Sequence, residues 1–273
     1  MSTLTAPPPG ESLRWTLADS WTIARAELLH WVRNPSLIVS SVAFPVMFVV
    51  LFGFVFGSAI MVPGGGDYRE FLMPGMFAQA MVNGAAATVA VVAAGRALGV
   101  TDRYRSMPVA RSAPLIGRSL ADMVGSVLDL AVLVVCGLLV GWTTRTGLLP
   151  TLAAVGLLLL LRFAMIWVGI FLGQVVSQEA AGLAWAPLFP LTMIANTFVS
   201  PEQMPPVLGV IADWNPISAT VTATRQLFGN PGVELVGASW PAQHALLLAV
   251  LWPVAIVAVF LPLAVHRYRS MSR

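Results

Sequence analysis

Long apolar runs separated by short arginine-bearing segments repeat along this chain. A helix that crosses a bilayer needs about 20 largely apolar residues. Between Arg33 and Asp67 no ionisable residue occurs, and 37–61 reads as a first spanning helix. Residues 71–95 are uncharged and read as a second. A third covers 120–142, interrupted by Asp122 and Asp129, and a fourth covers 148–173, interrupted by Arg162. Residues 180–199 and 244–265 give the fifth and sixth. The pattern predicts an all-α integral membrane protein with six transmembrane helices.

Two stretches fit neither a span nor a simple loop. Over 13–33, Leu13, Leu17, Trp21, Ala24, Leu28 and Trp31 recur at steps of three and four, one stripe of a helix. Tryptophan and arginine on such a helix suit the headgroup layer, so an N-terminal interfacial amphipathic helix is predicted. A small helix packed on a partner is the competing reading. Asn34-Pro35 then breaks the helix, because a residue before proline avoids the helical region. Ser200 to Gln243 holds six prolines and apolar stretches too short to span. Short re-entrant helices before helix 6 are one reading, since irregular backbone at membrane depth must be enclosed by protein or water. An ordinary outer loop is the other. Residues 1–12, rich in Ser, Thr and Pro, read as a disordered tail without the features of a cleavable signal, and 13–273 as a single permease-like membrane domain.

Charge sets the orientation. With the N-terminus inside, the cytoplasmic segments carry eleven arginines and the outer segments only Arg69, Arg145 and Arg225, with Arg162 in the membrane. This positive-inside bias predicts that both termini lie in the cytoplasm, consistent with an even number of spans. Composition agrees. The 273 residues are 58% hydrophobic and 10% charged, with mean hydropathy +0.83. A soluble surface needs about 25% charge. The net charge of +3 is dispersed between apolar runs, not gathered on a face, which argues against a nucleic-acid partner.

Enzyme signatures are missing. The chain has no H-E-x-x-H and no G-x-S-x-G, and a P-loop is impossible because there is no lysine. His244 and His266 would lie about 33 Å apart on one helix, so no metal site is predicted. The lone Cys136 reads as a packing residue. The intramembrane charges say more. Asp129 lies eleven residues beyond Arg118 and Arg162 eleven before Gly173, so the two sit at similar depth on antiparallel neighbours. A lone charge there costs about 3 kcal/mol or more, which predicts an Asp129–Arg162 pair. That pair serves as a structural clamp or marks the substrate passage. Gln79, Asn83 and Asn196 are the polar side chains available to line a passage, though bonds between helices explain them equally well. Gly53/Gly57, Gly137/Gly141 and Gly169/Gly173 are spaced for close helix approach.

Arg33-Asn34-Pro35, the run from Tyr68 to Gly75, and the run from Asp102 to Arg111 together resemble the type-2 ABC exporter permeases, most closely the daunorubicin-resistance subfamily. Gly117-Arg118-Ser119-Leu120-Ala121-Asp122, Met204-Pro205, Asn215-Pro216 and Arg225 add to the likeness, which covers nearly the whole chain. The resemblance implies a non-catalytic permease subunit that exports an amphiphilic compound, such as a drug, lipid or polyketide-like molecule, across a bacterial cytoplasmic membrane. Two permeases, as a homo- or heterodimer, would pair with two ATPase subunits that hold ATP and magnesium. Asp102, Arg103, Tyr104, Arg105, Ser106, Met107, Pro108 and Arg111 would then form the coupling helix against the ATPase, helped by Glu27 and Arg33. Arg162 matches no family position. An ion-coupled carrier using Asp129 is the alternative.

Overall fold

Residues 13–33, 43, 45–55, 57, 60, 62, 64–100, 112–233 and 238–270 are described by the computed structural model, with backbone alone at 13–17 and 30–32. The tail 1–12, the start of the predicted first span at 37–42 and the predicted coupling residues 102–111 lie outside them. Every regular element among the described residues is helical. Helix α1 (Leu13–Arg33) is followed by α2 (Pro45–Val55), whose last five residues from Leu51 wind as a π-helix. Among the described residues four helices are long and apolar enough to cross a membrane: α3 (Tyr68–Ala97), α4 (Ala113–Val140), α5 (Leu148–Val175) and α11 (Ala245–Ser270). Twenty-eight residues in α4 and in α5 give rods about 42 Å long, more than the hydrocarbon thickness of about 30 Å.

The central helix is α3. Asp67 caps its first turn by accepting from the Arg69 backbone N–H at 2.9 Å. Nearly every side chain from Phe71 to Val82 is buried, as expected of a helix apolar on all sides. It packs along α5 and touches α4 on another side. The contact with α5 is set by glycine. A Cβ on Gly169 would lie 2.9 Å from the Ala85 carbonyl oxygen, and one on Gly173 would lie 2.8 Å from that of Val89. This is the small-residue packing that the spacing predicts. The Gly137/Gly141 pair splits its roles. Gly137 makes room for Met73, whereas Gly141, at φ 100°, ends α4 in the left-handed conformation open to glycine. Arg96, at the far end of α3, donates to the carbonyls of Gln174 and Val176 and so closes the C-terminus of α5.

One expectation is corrected. The fifth span, predicted as one helix over 180–199, is broken into α6 (Gln178–Ala181), a turn and the ten-residue α7 (Trp185–Ile194), after which Ala195 is extended. Pro187 and Pro190 remove backbone donors there and weaken a continuous helix. On α1, Ser20, Ile23 and Ala24 are buried, whereas Trp21 of the predicted apolar stripe is 59% exposed. Small residues face α4 because the two backbones nearly touch: a Cβ on Gly117 would sit 2.7 Å from the Ser20 carbonyl oxygen. Arg225, which the sequence places in an outer segment, lies on a helix over Pro216–Phe228 and is 1% exposed.

The segment before α11 contains a 3₁₀ turn (Pro201–Gln203) and three short helices: α8 (Pro206–Asp213), α9 (Pro216–Phe228) and α10 (Trp240–Gln243). Each of the three has a proline in its first turn, where the missing N–H costs nothing. Asn215 caps α9 and Gly229 ends it at φ 70°. At 13 residues α9 is about 20 Å long, too short to span. It is nevertheless buried on most of its surface, wedged among α3, α5 and α11.

Candidate functional site

Two buried arginines organise the interior. Arg162, midway along α5, is 5% exposed. Its Nε donates to Ser126 Oγ at 2.6 Å on α4, and its Nη2 lies 3.5 Å from Thr88 Oγ1 on α3. The guanidinium occupies space that Gly84 leaves open: a Cβ there would come within 2.5 Å of Nη1. Thr88 donates in turn to Asp122 Oδ2 at 2.7 Å, and Ser126 donates to the Asp122 carbonyl at 2.6 Å. The other carboxylate oxygen of Asp122, itself 2% exposed, pairs with Arg118 Nη2 at 2.7 Å, one turn earlier on α4. Arg118 then reaches Glu27 on α1 at 3.2 Å. A continuous polar ladder therefore runs from α1, through α4 and α3, into the middle of α5, with charges alternating along Glu27, Arg118, Asp122 and Arg162. Alternation is what makes the buried charges tolerable, because an unpaired one is penalised by several kcal/mol.

The Arg162 hydrogen bonds go to the hydroxyls of Ser126 and Thr88, and Asp122 and Asp129 lie about one turn to either side of Ser126 on α4. The reason is register. Helix α4 begins at Ala113, earlier than the apolar run suggests. Ser126 lies thirteen residues after Ala113, and Arg162 thirteen before Val175, so those two are level.

Arg225 is held without any carboxylate. Its Nε donates to the Phe71 carbonyl at 2.9 Å, Nη1 to Asn196 Oδ1 at 2.9 Å, and Nη2 to the carbonyls of Asn196 and Thr197 at 2.7 and 3.2 Å. The guanidinium carbon stands 3.6 Å from the Phe71 ring centroid. Asn196 is fixed further by its Nδ2, which donates to Thr222 Oγ1 at 2.7 Å, and by its backbone N–H to Ser218 Oγ at 3.0 Å. One arginine therefore ties α9 to α3 and to the extended chain that leaves α7. Beside it a cavity of about 450 Å³ opens among the short helices, bounded by Asn196, Ser218 and Thr222 on its floor and by Glu202 and Asp213 nearer its mouth.

Of the other residues singled out, Gln79 on α3 is buried, and its amide has no hydrogen-bond partner among the described residues. Asn83 is half-buried one turn on, and Arg33 is exposed at the end of α1. Sequence reasoning missed Thr88, Ser126 and the Arg118–Asp122 pair. The last was legible, since oppositely charged residues four apart share a helix face.

Long apolar helices around a buried ionic ladder define a helical membrane protein. The ABC-2 type transporter family matches residues 19–228, and the chain belongs to that family. It is 34% identical over 260 residues to the daunorubicin resistance ABC transporter permease protein DrrB1 of Streptomyces coeruleorubidus, which covers 94% of this chain and 87% of the relative. It is 23% identical over 251 residues to a protein of Mycobacterium tuberculosis described as a probable doxorubicin resistance ABC transporter permease, DrrC, covering 90% and 86%. Both relatives are permease subunits by name, and neither the family nor the relatives support the ion-coupled carrier built on Asp129.

Proposed function

We propose that this permease exports an amphiphilic compound (a drug, a lipid or a polyketide-like molecule) from the cytoplasmic leaflet, driven by a separate ATPase. The observation that carries the reading is the family match over residues 19–228 together with relatives named for resistance to amphiphilic drugs. The working unit is two permeases, homo- or heterodimeric, with two ATPase subunits that bind ATP and magnesium. Both termini lie in the cytoplasm. Six spans result when the segment around α2 and the α6–α7 stretch are added to the four long helices. Helix α1 lies in the inner headgroup layer, where its exposed Trp21 meets lipid. Helices α8 to α10 re-enter from the outer side, supported by the burial of a 13-residue α9 among long helices. Residues 102–111, with Glu27 and Arg33, receive the ATPase. Gln79 and Asn83 face the passage, and Asn196 contributes through the network that holds it.

Co-expression with candidate P-loop ATPase subunits from the same genome tests this reading. The expected result is a stable complex in detergent whose ATP hydrolysis requires the permease. A permease that never co-purifies with an ATPase, yet transports, would refute it.

A further inference from the structure

We propose that Asp122 is a two-partner joint, exchanging Arg118 for Arg162 during the transport cycle, so that the seat of α1 on α4 and the packing of α3, α4 and α5 change together. This rests on the exporter reading and names the residues through which drive from the cytoplasmic side enters the bundle.

The geometry carries it. Asp122 presents one carboxylate oxygen to Arg118 at 2.7 Å and the other to Thr88 at 2.7 Å. Thr88 is also the hydrogen-bond acceptor for Arg162 Nη2, at 3.5 Å. One hydroxyl therefore separates Asp122 from its second cation. Among the described residues, Nη1 of Arg162 is buried with no hydrogen-bond partner, so donors stand ready for an acceptor that is elsewhere in this state. Arg118, the present partner, is divided. It is 11% exposed, and its other contact is the longer 3.2 Å bond to Glu27, which is 31% exposed.

That contact sits beside the tightest α1–α4 approach. Gly117 precedes Arg118 and lies against the Ser20 backbone. Because a side chain has no room there, α1 cannot slide on α4 by small repacking. It leaves its seat as a unit and takes Glu27 with it. In sequence the proposed ATPase contact, 102–111, ends seven residues before Arg118. When α1 moves, Arg118 follows Glu27 toward water, and Asp122 becomes an uncompensated buried carboxylate. Such a group is penalised heavily unless it finds a new cation. Arg162 is the cation in reach, with the Thr88 hydroxyl between the two groups. Two discrete partner arrangements for one buried charge make a bistable element of the kind that relays motion between sites.

The test uses the permease–ATPase complex in proteoliposomes. Asp122→Asn keeps the size and the acceptor for Thr88 but removes the charge. The expected result is a fall of about tenfold in compound exported per ATP hydrolysed, within the usual range of coupling free energies. Asp122→Glu should recover part of the loss. Thr88→Val, which removes the hydroxyl between the two partners, gives the same direction of change and decides the matter where the Asn variant fails to assemble. On a Cys136→Ser background, spin labels at exposed Arg25 on α1 and Leu172 on α5 should show two distance populations that ATP shifts, and Asp122→Asn should leave one. An active unmodified complex whose Asp122→Asn and Thr88→Val variants keep the normal export ratio overturns the joint alone. So does a single spin-label distance that ATP leaves unchanged. An unmodified complex that neither hydrolyses ATP nor exports overturns the exporter reading and the joint with it.

Discussion

Replacing Arg225 with methionine should detach α9 from the bundle. The side chain donates four hydrogen bonds, between 2.7 and 3.2 Å, and lies over the Phe71 ring while 1% exposed. A hydrogen bond from a charged donor contributes about 1.5–3 kcal/mol, and a buried acceptor left alone costs about 1–3 kcal/mol. The four bonds share one group, so they do not add. A net loss of about 4 kcal/mol is expected, one to two such bonds. Methionine fills similar volume and limits the cavity contribution. In a chain of this size that loss lowers the thermal midpoint by about 8–16 °C. The assay is the loss of the monodisperse chromatographic peak on heating in detergent, together with protease sensitivity between α9 and α11. Arg225→Lys should recover only part, because an ammonium lacks the planar fork that reaches Phe71, Asn196 and Thr197 together. A methionine variant that melts within a degree or two of the parent would refute the reasoning.

Other predictions follow from contacts at single residues. Gly169→Leu should separate α3 from α5, since even a Cβ would meet the Thr88 Cβ at 2.8 Å; the expected outcome is a lower thermal midpoint and reduced membrane accumulation. Gly84→Ala should displace the Arg162 guanidinium at a cost of about 1–3 kcal/mol, read by the same melting assay, with a smaller change for alanine at the open Gly156. The Asp67 carboxyl is held below its ordinary range chiefly by the Arg69 side-chain hydrogen bond. A depressed carboxylate stabilises above its unfolded value near pH 3.9 and loses that contribution as pH falls through the folded value. Asp67→Ala should therefore weaken the start of α3 by about 0.5–2 kcal/mol at neutral pH and remove that part of the acid dependence. Melting curves from pH 3 to 7 check it.

How much of this was legible in the chain depends on which solvent each residue faces. Lipid-facing runs announce themselves, so α3, α4, α5 and α11 coincide with predicted spans to within a few residues at most ends. The start of α4 was placed late because Arg118 looks like a loop charge, whereas Asp122 neutralises it on one helix face. Arg162 stood out as a charge in an apolar run. Thr88 and Ser126 did not, since hydroxyls are common in such helices and only tertiary contact reveals which of them bridge. Arg225 was counted with the outer segments, and the prolines around it begin the short helices that carry it inward. The break between α6 and α7 was readable in Pro187 and Pro190, but the apolar run concealed it.

The account turns on transport being driven by ATP bound to another chain. Inside-out vesicles from cells producing this permease with its ATPase, loaded outside with a fluorescent cationic amphiphile, measure that directly. Uptake should require both chains and hydrolysable ATP, persist when the proton gradient is collapsed, and vanish when the P-loop lysine of the ATPase is replaced. Uptake by the permease alone, driven by a proton gradient without ATP, would contradict it.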